Sequence, residues 1–257
     1  MFRALADAVL AALLAPACAV CAAVLDHPLD GPVCRGCWAR VIRFTPPCCA
    51  HCGAPLPGAR VAAAQGGCCR ACTVQLGAVS AARAVGPFEG TLADVVHAFK
   101  YGRRPAIGRQ LGPLVRDAAA DLLAGIDFVV PVPLHPRRQR ERGFNQAELL
   151  AEALGPPLCR ALARTVHTAP QVAASRQARW RNVQNAFAPG PDLARVAGRT
   201  VALVDDVLTT GATVSAAATV LQGGAPARVV VLTAARAEFG RPAPLPAAPL
   251  RAPGRRR

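Results

Sequence analysis

The chain has almost no lysine and few acidic residues. Lys100 is the single lysine among 30 basic residues, and only 15 Asp and Glu oppose them. Arginine in place of lysine needs no functional cause, because GC-rich coding also enriches arginine, alanine and proline. The choice of arginine over lysine does not account for the net charge of +15. A surplus of this sign suits partners that carry phosphates, such as nucleotides or nucleic acid.

Aromatic residues and long apolar runs are also scarce. Aromatic residues make up 4% of the chain, which does not indicate a stacking platform for single-stranded nucleic acid. No uninterrupted apolar run reaches the roughly 18 residues of a membrane span. The nearest candidate, residues 4–23, contains Asp7 and Pro16 and imitates a signal peptide. Its apolar residues fall on one helical face and it leads directly into a cysteine motif, so we expect a short docking helix in a cytoplasmic protein.

Cysteine, by contrast, is abundant, with 11 residues. Eight of them form four Cys-x-x-Cys units, which are Cys18/Cys21, Cys34/Cys37, Cys49/Cys52 and Cys69/Cys72. Two thiolates on a tight turn present their sulfurs to one ion, and two such turns complete a tetrahedral zinc site. The spacing therefore predicts two structural zinc ions, held by thiolates alone and with no open position for catalysis.

The pairing of these four units stays open at this point. Joining the first unit to the second and the third to the fourth gives two zinc ribbons, whereas a cross-braced module joins the first to the third. Cys48 and Cys68 each precede a unit, which leaves the register open by one residue. Disulfides are a weaker interpretation because the spacing occurs four times. A thioredoxin-like redox role is also disfavoured because the units lack a βαβ setting.

Residues 201–213 form the second informative stretch. The apolar run 201–204 predicts a buried parallel strand, and Asp205 and Asp206 follow at its end. An alanine-rich helix is predicted near 214–221. Between them lies a loop of small and hydroxyl residues, namely Thr209, Thr210, Gly211, Ala212 and Thr213.

A loop at a helix N-terminus offers backbone N–H groups and a positive dipole end to a phosphate. The two carboxylates instead suit a group that carries hydroxyls or a metal ion. The whole string therefore predicts a sugar-phosphate site. The alternative is an ordinary buried strand followed by a helix that Thr210 or Thr213 caps.

The middle of the chain alternates predicted strands and helices. We expect strands over 79–88 and 128–134, and helices over 92–99, 107–123 and 147–154. Residues 135–146 are predicted to be a loop whose four arginines clamp a pyrophosphate through bidentate contacts. The basic turn at 100–104 is either an anion contact or decoration of a helix end. The arginine-rich segment 164–182 is either an active-site loop or a solvated surface.

The string from Val201 to Thr213 resembles the motif that binds 5-phosphoribosyl-1-pyrophosphate (PRPP) in type I phosphoribosyltransferases. The resemblance implies that Asp205 and Asp206, the predicted catalytic pair, bind the ribose hydroxyls beside a Mg²⁺ ion that arrives with PRPP. It implies that residues 209–213 hold the 5′-phosphate. We expect further PRPP contacts from Lys100, Arg137 and Arg142.

The order of motifs along the chain narrows the resemblance. These motifs are the cysteine array, Phe99-Lys100-Tyr101, Pro131-Val132-Pro133-Leu134, Arg142-Gly143-Phe144-Asn145-Gln146, Gln171, Arg179 with Asn182, and the 203–211 string. Over residues 15–236 the chain resembles the ComF family. The resemblance implies an α/β fold, with a type I phosphoribosyltransferase-like parallel sheet flanked by helices and an N-terminal cysteine-rich double zinc ribbon. It also implies a part in competence, the uptake of transforming DNA, while relatives of the same architecture are linked to other small-molecule metabolism.

We therefore expect a docking helix and double zinc ribbon over 1–77, a phosphoribosyltransferase-like domain over 78–239, and a disordered Pro/Arg tail over 240–257. The predicted function is phosphoribosyl transfer from PRPP to an unknown acceptor in the service of DNA uptake. The alternative is a non-catalytic adaptor that senses PRPP and contacts single-stranded DNA or a DNA-uptake helicase through its zinc ribbons. His97 and His135 are candidate general bases by position alone.

Overall fold

The computed structural model of the chain describes residues 2–64, 66–69, 78–166, 183 and 185–237. Four parallel strands form the main sheet, in the order β1-β6-β5-β2. These strands are β1 (Ala81–Pro87), β2 (Phe128–Pro131), β5 (Thr200–Leu208) and β6 (Arg228–Arg236). A separate antiparallel pair joins β3 (Leu162–Arg164) to β4 (Phe187–Pro189).

Helices cover the sheet and precede it. They are α1 (Phe2–Leu14), α2 (Arg35–Ala39), α3 (Ala59–Ala64), α4 (Gly90–Tyr101), α5 (Ala106–Ala118), α6 (Ala120–Leu123), α7 (Pro136–Arg142), α8 (Gln146–Ala151) and α9 (Ala212–Gln222). None of the helices in the described ranges is both long enough and apolar enough to cross a bilayer.

Strand β5 lies at the centre of the sheet and is apolar on both faces, as a parallel strand must be when both faces are covered. Ala202 and Val204 contribute to the core on one face, beneath α4, α5 and α8. Val201 and Leu203 contribute to the core on the other face, beneath α9. Each face also receives cysteine-rich segments, since Cys37 packs in the first core and Cys49 in the second.

The cysteine-rich part also covers the free edge of β1. The N–H of Phe44 donates to the carbonyl of Val85 (2.8 Å), and the N–H of Ala82 donates to the carbonyl of His51 (2.6 Å). Gly86 permits this close approach, because a Cβ there would lie 2.0 Å from the carbonyl oxygen of Ile42. The expected boundary at residues 77 and 78 falls just before β1. This domain boundary stays a prediction, because residues on both sides of it pack into the same two cores.

Three local expectations differ from the structure. The segment 135–146, expected to be a loop, contains helix α7, which begins with Pro136 and is followed by the left-handed Gly143 (φ +84°). The helix expected over 107–123 is two helices that meet at Ala119. The strand expected over 128–134 ends at Pro131, so the turn toward α7 starts earlier than the apolar pattern indicates.

Candidate functional site at the carboxyl edge of the sheet

The acidic pair lies inside β5 and not after it, which corrects the expected strand end. The pairing of β5 with β2 stops at Val204, whereas its pairing with β6 continues to Leu208. Asp205 and Asp206 therefore extend beyond the end of β2, at the edge where ligands of open parallel sheets bind. Strand β5 is longer than expected because its pairing with β6 continues past the end of β2.

The two carboxylates have different environments. The Nζ of Lys100, at the end of α4, lies 2.8 Å from Oδ1 of Asp206, and both side chains are mostly buried. Asp205 accepts the N–H of Asp206 at 2.8 Å. Burial, together with the charge of Asp206, raises the pKa of Asp205 from 3.8 to about 7, against the opposing effect of Lys100 and Arg164.

The residues 209–213 connect the acidic pair to α9. Gly211 adopts a left-handed conformation (φ +79°) and occupies the N-cap position of this helix. The Oγ1 of Thr210 accepts the N–H of Ala212 at 3.4 Å, a long hydrogen bond. Neither Thr210 nor Thr213 is the N-cap residue, so the alternative of a threonine-capped helix does not describe this turn. The loop lies at the positive end of an 11-residue helix.

A cavity of about 160 Å³ includes Lys100, the ion-pair partner of Asp206, in its lining. Its lining consists of Lys100, Tyr101, Arg103, Arg138, Glu141 and Arg142. The lining thus carries four cationic side chains and one carboxylate. One of the cations, Lys100, also forms the ion pair with Asp206. This composition suits a multiply charged anion such as a pyrophosphate.

The predicted arginines do not all reach this cavity. Arg142 lines it, whereas the mostly exposed Arg137 is not a lining residue and pairs with Glu141, which is (Nε to Oε1, 3.1 Å). Arg138, another of the four arginines in the expected loop, also lines the cavity, because residues 138 and 142 lie one turn apart on the same face of α7. The signals for this helix are a proline at its first position and a glycine just after its last.

Arg164, at the end of β3, was predicted only as the first residue of the segment 164–182. Its charge opposes the rise in the pKa of Asp205. Burial, and then the charge of Arg138, lowers the pKa of Arg164. Residues 167–182 of the predicted segment lie outside the described residues; they include Gln171, Arg176, Arg179, Arg181 and Asn182.

Neither histidine candidate is part of the cavity lining. His97 stacks on Phe88, with ring centroids 5.6 Å apart, and burial lowers its pKa. The Nδ1 of His135 accepts the N–H of Arg137 at 3.2 Å, so this ring caps α7. Both side chains thus have structural roles.

The first four cysteines converge on one point. The sulfurs of Cys18, Cys21, Cys34 and Cys37 all lie within 4.8 Å of one another. The Sγ–Sγ distances are 3.9 Å for Cys18 and Cys37, and 3.7 Å for Cys21 and Cys34. Four sulfurs about 2.3 Å from a tetrahedral zinc ion would be about 3.8 Å apart, so these thiols fit zinc. In the described chain the first unit thus meets the second, not the third.

The second cluster contains Cys49, Cys52 and Cys69, again within 4.8 Å of one another. The sulfurs of Cys52 and Cys69 are 3.5 Å apart. Cys72, the expected fourth ligand, lies outside the described residues. The thiol of Cys48 lies 3.4 Å from the carbonyl oxygen of Thr45 and does not belong to the cluster. The cluster is tied to the sheet, since the buried Arg236 of β6 donates from Nη1 to the carbonyl of Cys52.

The fold and the thiol clusters define an α/β protein with a zinc-ribbon part, and comparison with known proteins agrees. Residues 9–73 match the family described as "Double zinc ribbon domain". The chain is 34% identical to "Competence protein F" of Haemophilus influenzae over 74% of this chain and 83% of that protein. It is 37% identical to "DNA utilization protein YhgH" of Escherichia coli over 57% of this chain and 68% of that protein.

A more distant relative is "Competence protein ComFC" of Bacillus subtilis, 28% identical over 80% of this chain and 85% of that protein. The chain belongs to the ComF family, as the order of its motifs predicted. The helix-flanked parallel sheet and the cysteine-rich zinc ribbon confirm the predicted fold class. The match to the zinc ribbon domain and the thiol clusters together indicate structural zinc.

A solved allosteric regulatory enzyme of purine biosynthesis also aligns with the chain. The TM-score is 0.35 and the sequence identity 20%, over 54% of this chain and 30% of that enzyme. A similarity of this size supports no conclusion about activity.

Proposed function

We propose that the protein binds PRPP together with Mg²⁺ at the carboxyl edge of its sheet, and that it serves DNA uptake and use in the cytoplasm. One observation carries the proposal. The acidic pair and the loop at the N-terminus of α9 follow one another along the chain, and Lys100 links Asp206 to the cationic cavity, an arrangement that suits the ribose, 5′-phosphate and pyrophosphate of one molecule. The names of the competence and DNA-utilization relatives support the biological role.

Each part of the ligand meets a complementary group. Residues 209–213 hold the 5′-phosphate through backbone N–H groups and hydroxyls at the positive end of α9. Asp205 and Asp206 accept hydrogen bonds from the ribose 2′ and 3′ hydroxyls. Their carboxylate oxygens are also the ligand type that Mg²⁺ prefers. When bound, Mg²⁺ supplies positive charge that neutralises the pyrophosphate.

The cavity cations give the site its catalytic capacity. Breaking the bond between C1 of the ribose and pyrophosphate increases the negative charge on the leaving group. Arg138 and Arg142 line the cavity proposed for that group and would stabilise the growing charge. We therefore propose transfer of the phosphoribosyl group to an acceptor as the reaction.

The two cysteine clusters hold one structural zinc ion each in this proposal. Cys18, Cys21, Cys34 and Cys37 bind the first ion. Cys49, Cys52, Cys69 and Cys72 bind the second. These all-thiolate sites stabilise the segments that cover both faces of the sheet and leave no coordination position for a substrate.

A PRPP-sensing adaptor without turnover is the second candidate function. The ion pair between Lys100 and Asp206 favours it, because this bond occupies a carboxylate that the ribose needs. Donor binding would then separate Lys100 from Asp206 and reorient the end of α4. In this version the zinc ribbons contact single-stranded DNA or a DNA-uptake helicase.

Calorimetric titration with PRPP and MgCl₂ tests the shared part of both candidates. We expect saturable binding by the wild-type chain and loss of binding in Asp205→Ala/Asp206→Ala. Asp117→Ala, which removes a carboxylate from α5 outside the cavity lining, is the matched control and should bind normally. Absence of binding by the wild-type chain would contradict the proposal.

Pyrophosphate release then separates the two candidates. Release that depends on an acceptor and disappears in the double variant supports the transferase. Tight PRPP binding without release across nucleobases and other nucleophilic acceptors supports the adaptor.

A further inference from the structure

Arg142 is held in the cavity from two sides. Its Nη1 donates to Oε1 of Gln146 at 2.9 Å. Its guanidinium carbon lies 5.4 Å from the centre of the Tyr101 ring, within the range of a cation–π contact. An arginine fixed in this way loses less side-chain freedom when an anion binds than a free arginine does.

The position of Gln146 is itself fixed by the residue that follows β2, Val132. Gln146 is the first residue of α8, and the preceding Asn145 is the N-cap of that helix. The Oδ1 of Asn145 accepts the N–H of Ala147 (3.1 Å), while its Nδ2 donates to the carbonyl of Val132 (3.1 Å). The backbone that carries the Gln146 side chain is therefore held in place by the contacts of Asn145.

Gln146 is poorly explained as a core residue. Its side chain is only 1% exposed, and its Nε2 has no hydrogen-bond partner within the described part of the chain. A buried amide nitrogen without a partner lowers stability, so an apolar residue of equal size would suit the core better. Because arginine only donates, Oε1 must face Arg142 and Nε2 must point away.

We propose that Gln146 is a positioning residue, which acts with the Tyr101 ring to aim the Arg142 guanidinium at pyrophosphate in the cavity. The inference rests on the proposed function and specifies how its anion subsite is built. Gln146 does not touch the ligand. Its effect on binding passes through Arg142 alone.

A double-mutant cycle with inorganic pyrophosphate as the calorimetric probe tests this role. Gln146→Met keeps the length of the side chain and removes the acceptor. We expect pyrophosphate affinity to fall about tenfold, the usual effect of losing one charge-assisted hydrogen bond. The urea midpoint should not fall. Gln222→Met, the same change at an exposed position of α9, should alter neither quantity.

Arg142→Met should weaken pyrophosphate binding more strongly, and adding Gln146→Met to it should have no further effect. Tyr101→Leu gives a second route, because Tyr101 is 65% exposed and its replacement leaves the core intact. This variant should also bind pyrophosphate more weakly.

The cycle separates failure of this inference from failure of the proposed function. Additive effects of the two substitutions, or wild-type affinity in Gln146→Met, would overturn the positioning role while PRPP binding by the wild-type chain stands. A lowered urea midpoint with unchanged affinity would mean a merely structural residue. A wild-type chain that binds neither PRPP nor pyrophosphate would overturn both.

Discussion

At the scale of single residues, the acidic pair shows how one strand gives two adjacent carboxylates different properties. Asp206 has Lys100 as a partner at 2.8 Å. Asp205 has a raised pKa because its carboxyl is buried and lies next to the charge of Asp206. The folded chain therefore binds a proton at Asp205 more tightly than the unfolded chain does.

This difference makes stability depend on pH with a definite sign. Because the pKa of Asp205 is about 7 when folded and 3.8 ordinarily, its contribution is most favourable below pH 4 and is lost as the pH rises toward 7. Asp205→Asn should remove this loss. Urea unfolding without added Mg²⁺ and without a chelator, so that the zinc ions stay bound, should show the variant to be more stable than the wild-type chain by about 1–3 kcal/mol at pH 8, and by less at pH 5. An equal difference at both pH values would contradict the raised pKa.

Some candidate site residues can be predicted from one stretch of sequence, whereas others depend on how separate elements pack together. Asp205, Asp206 and the 209–213 loop belong to one continuous string, so a single stretch of sequence is enough to predict them as a site. Arg138 was predicted only as one of four arginines in a loop, and Gln146 only as part of a motif, because their placement depends on α7 and on the start of α8. Their roles emerge only when those helices are placed against the end of α4.

At the scale of elements, β1 shows how the cysteine-rich part and the sheet are joined. The segment that contains Phe44 and His51 bonds to the backbone of β1, and Gly86 makes room for the carbonyl of Ile42. Strand β1 was predicted from its own apolar pattern. Its covered edge was not, because hydrogen bonds between distant backbone segments leave no trace in side-chain periodicity.

Gly86→Ala tests this junction. The added Cβ would meet backbone, which cannot move aside as a flexible side chain can, so we expect a loss of about 1–3 kcal/mol in the free energy of unfolding. Gly125→Ala is the matched control, since nothing lies within 4 Å of a Cβ at that position. Equal stability of the two variants in urea would contradict the described packing.

Helix α7 is the element that was hardest to predict from the sequence. Its seven residues, PRRQRER, contain no apolar residue that could reveal a helical face. It is stabilised locally, by Pro136 at its start, the His135 cap and the left-handed Gly143. These signals mark a helix of two turns as well as they mark a loop, so periodicity could not decide between them.

At the scale of the whole molecule, the thiol clusters contribute to both cores of the sheet. Cys18 and Cys37 pack with α4 and α5 on one face. Cys49 and Cys52 pack with residues of α9 on the other. Loss of either zinc ion should therefore disturb the sheet and not only the ribbons.

Elemental analysis and thermal melting test this dependence. We expect two zinc ions per wild-type chain, and a fall in Tm of roughly 10 °C in a single transition after chelation. Cys37→Ser should reduce zinc to one ion per chain. Cys48→Ser should leave both ions bound, and loss of an ion in that variant would shift the ligand register by one residue.

A crystal soak with PRPP and MgCl₂ tests the central claim most directly. The account predicts the 5′-phosphate against residues 209–213, the ribose hydroxyls on Asp205 and Asp206, and pyrophosphate beside Arg138 and Arg142. Lys100 should have moved away from Asp206 toward the pyrophosphate. PRPP bound elsewhere on the chain, or a phosphate loop left empty at saturating PRPP, would contradict it.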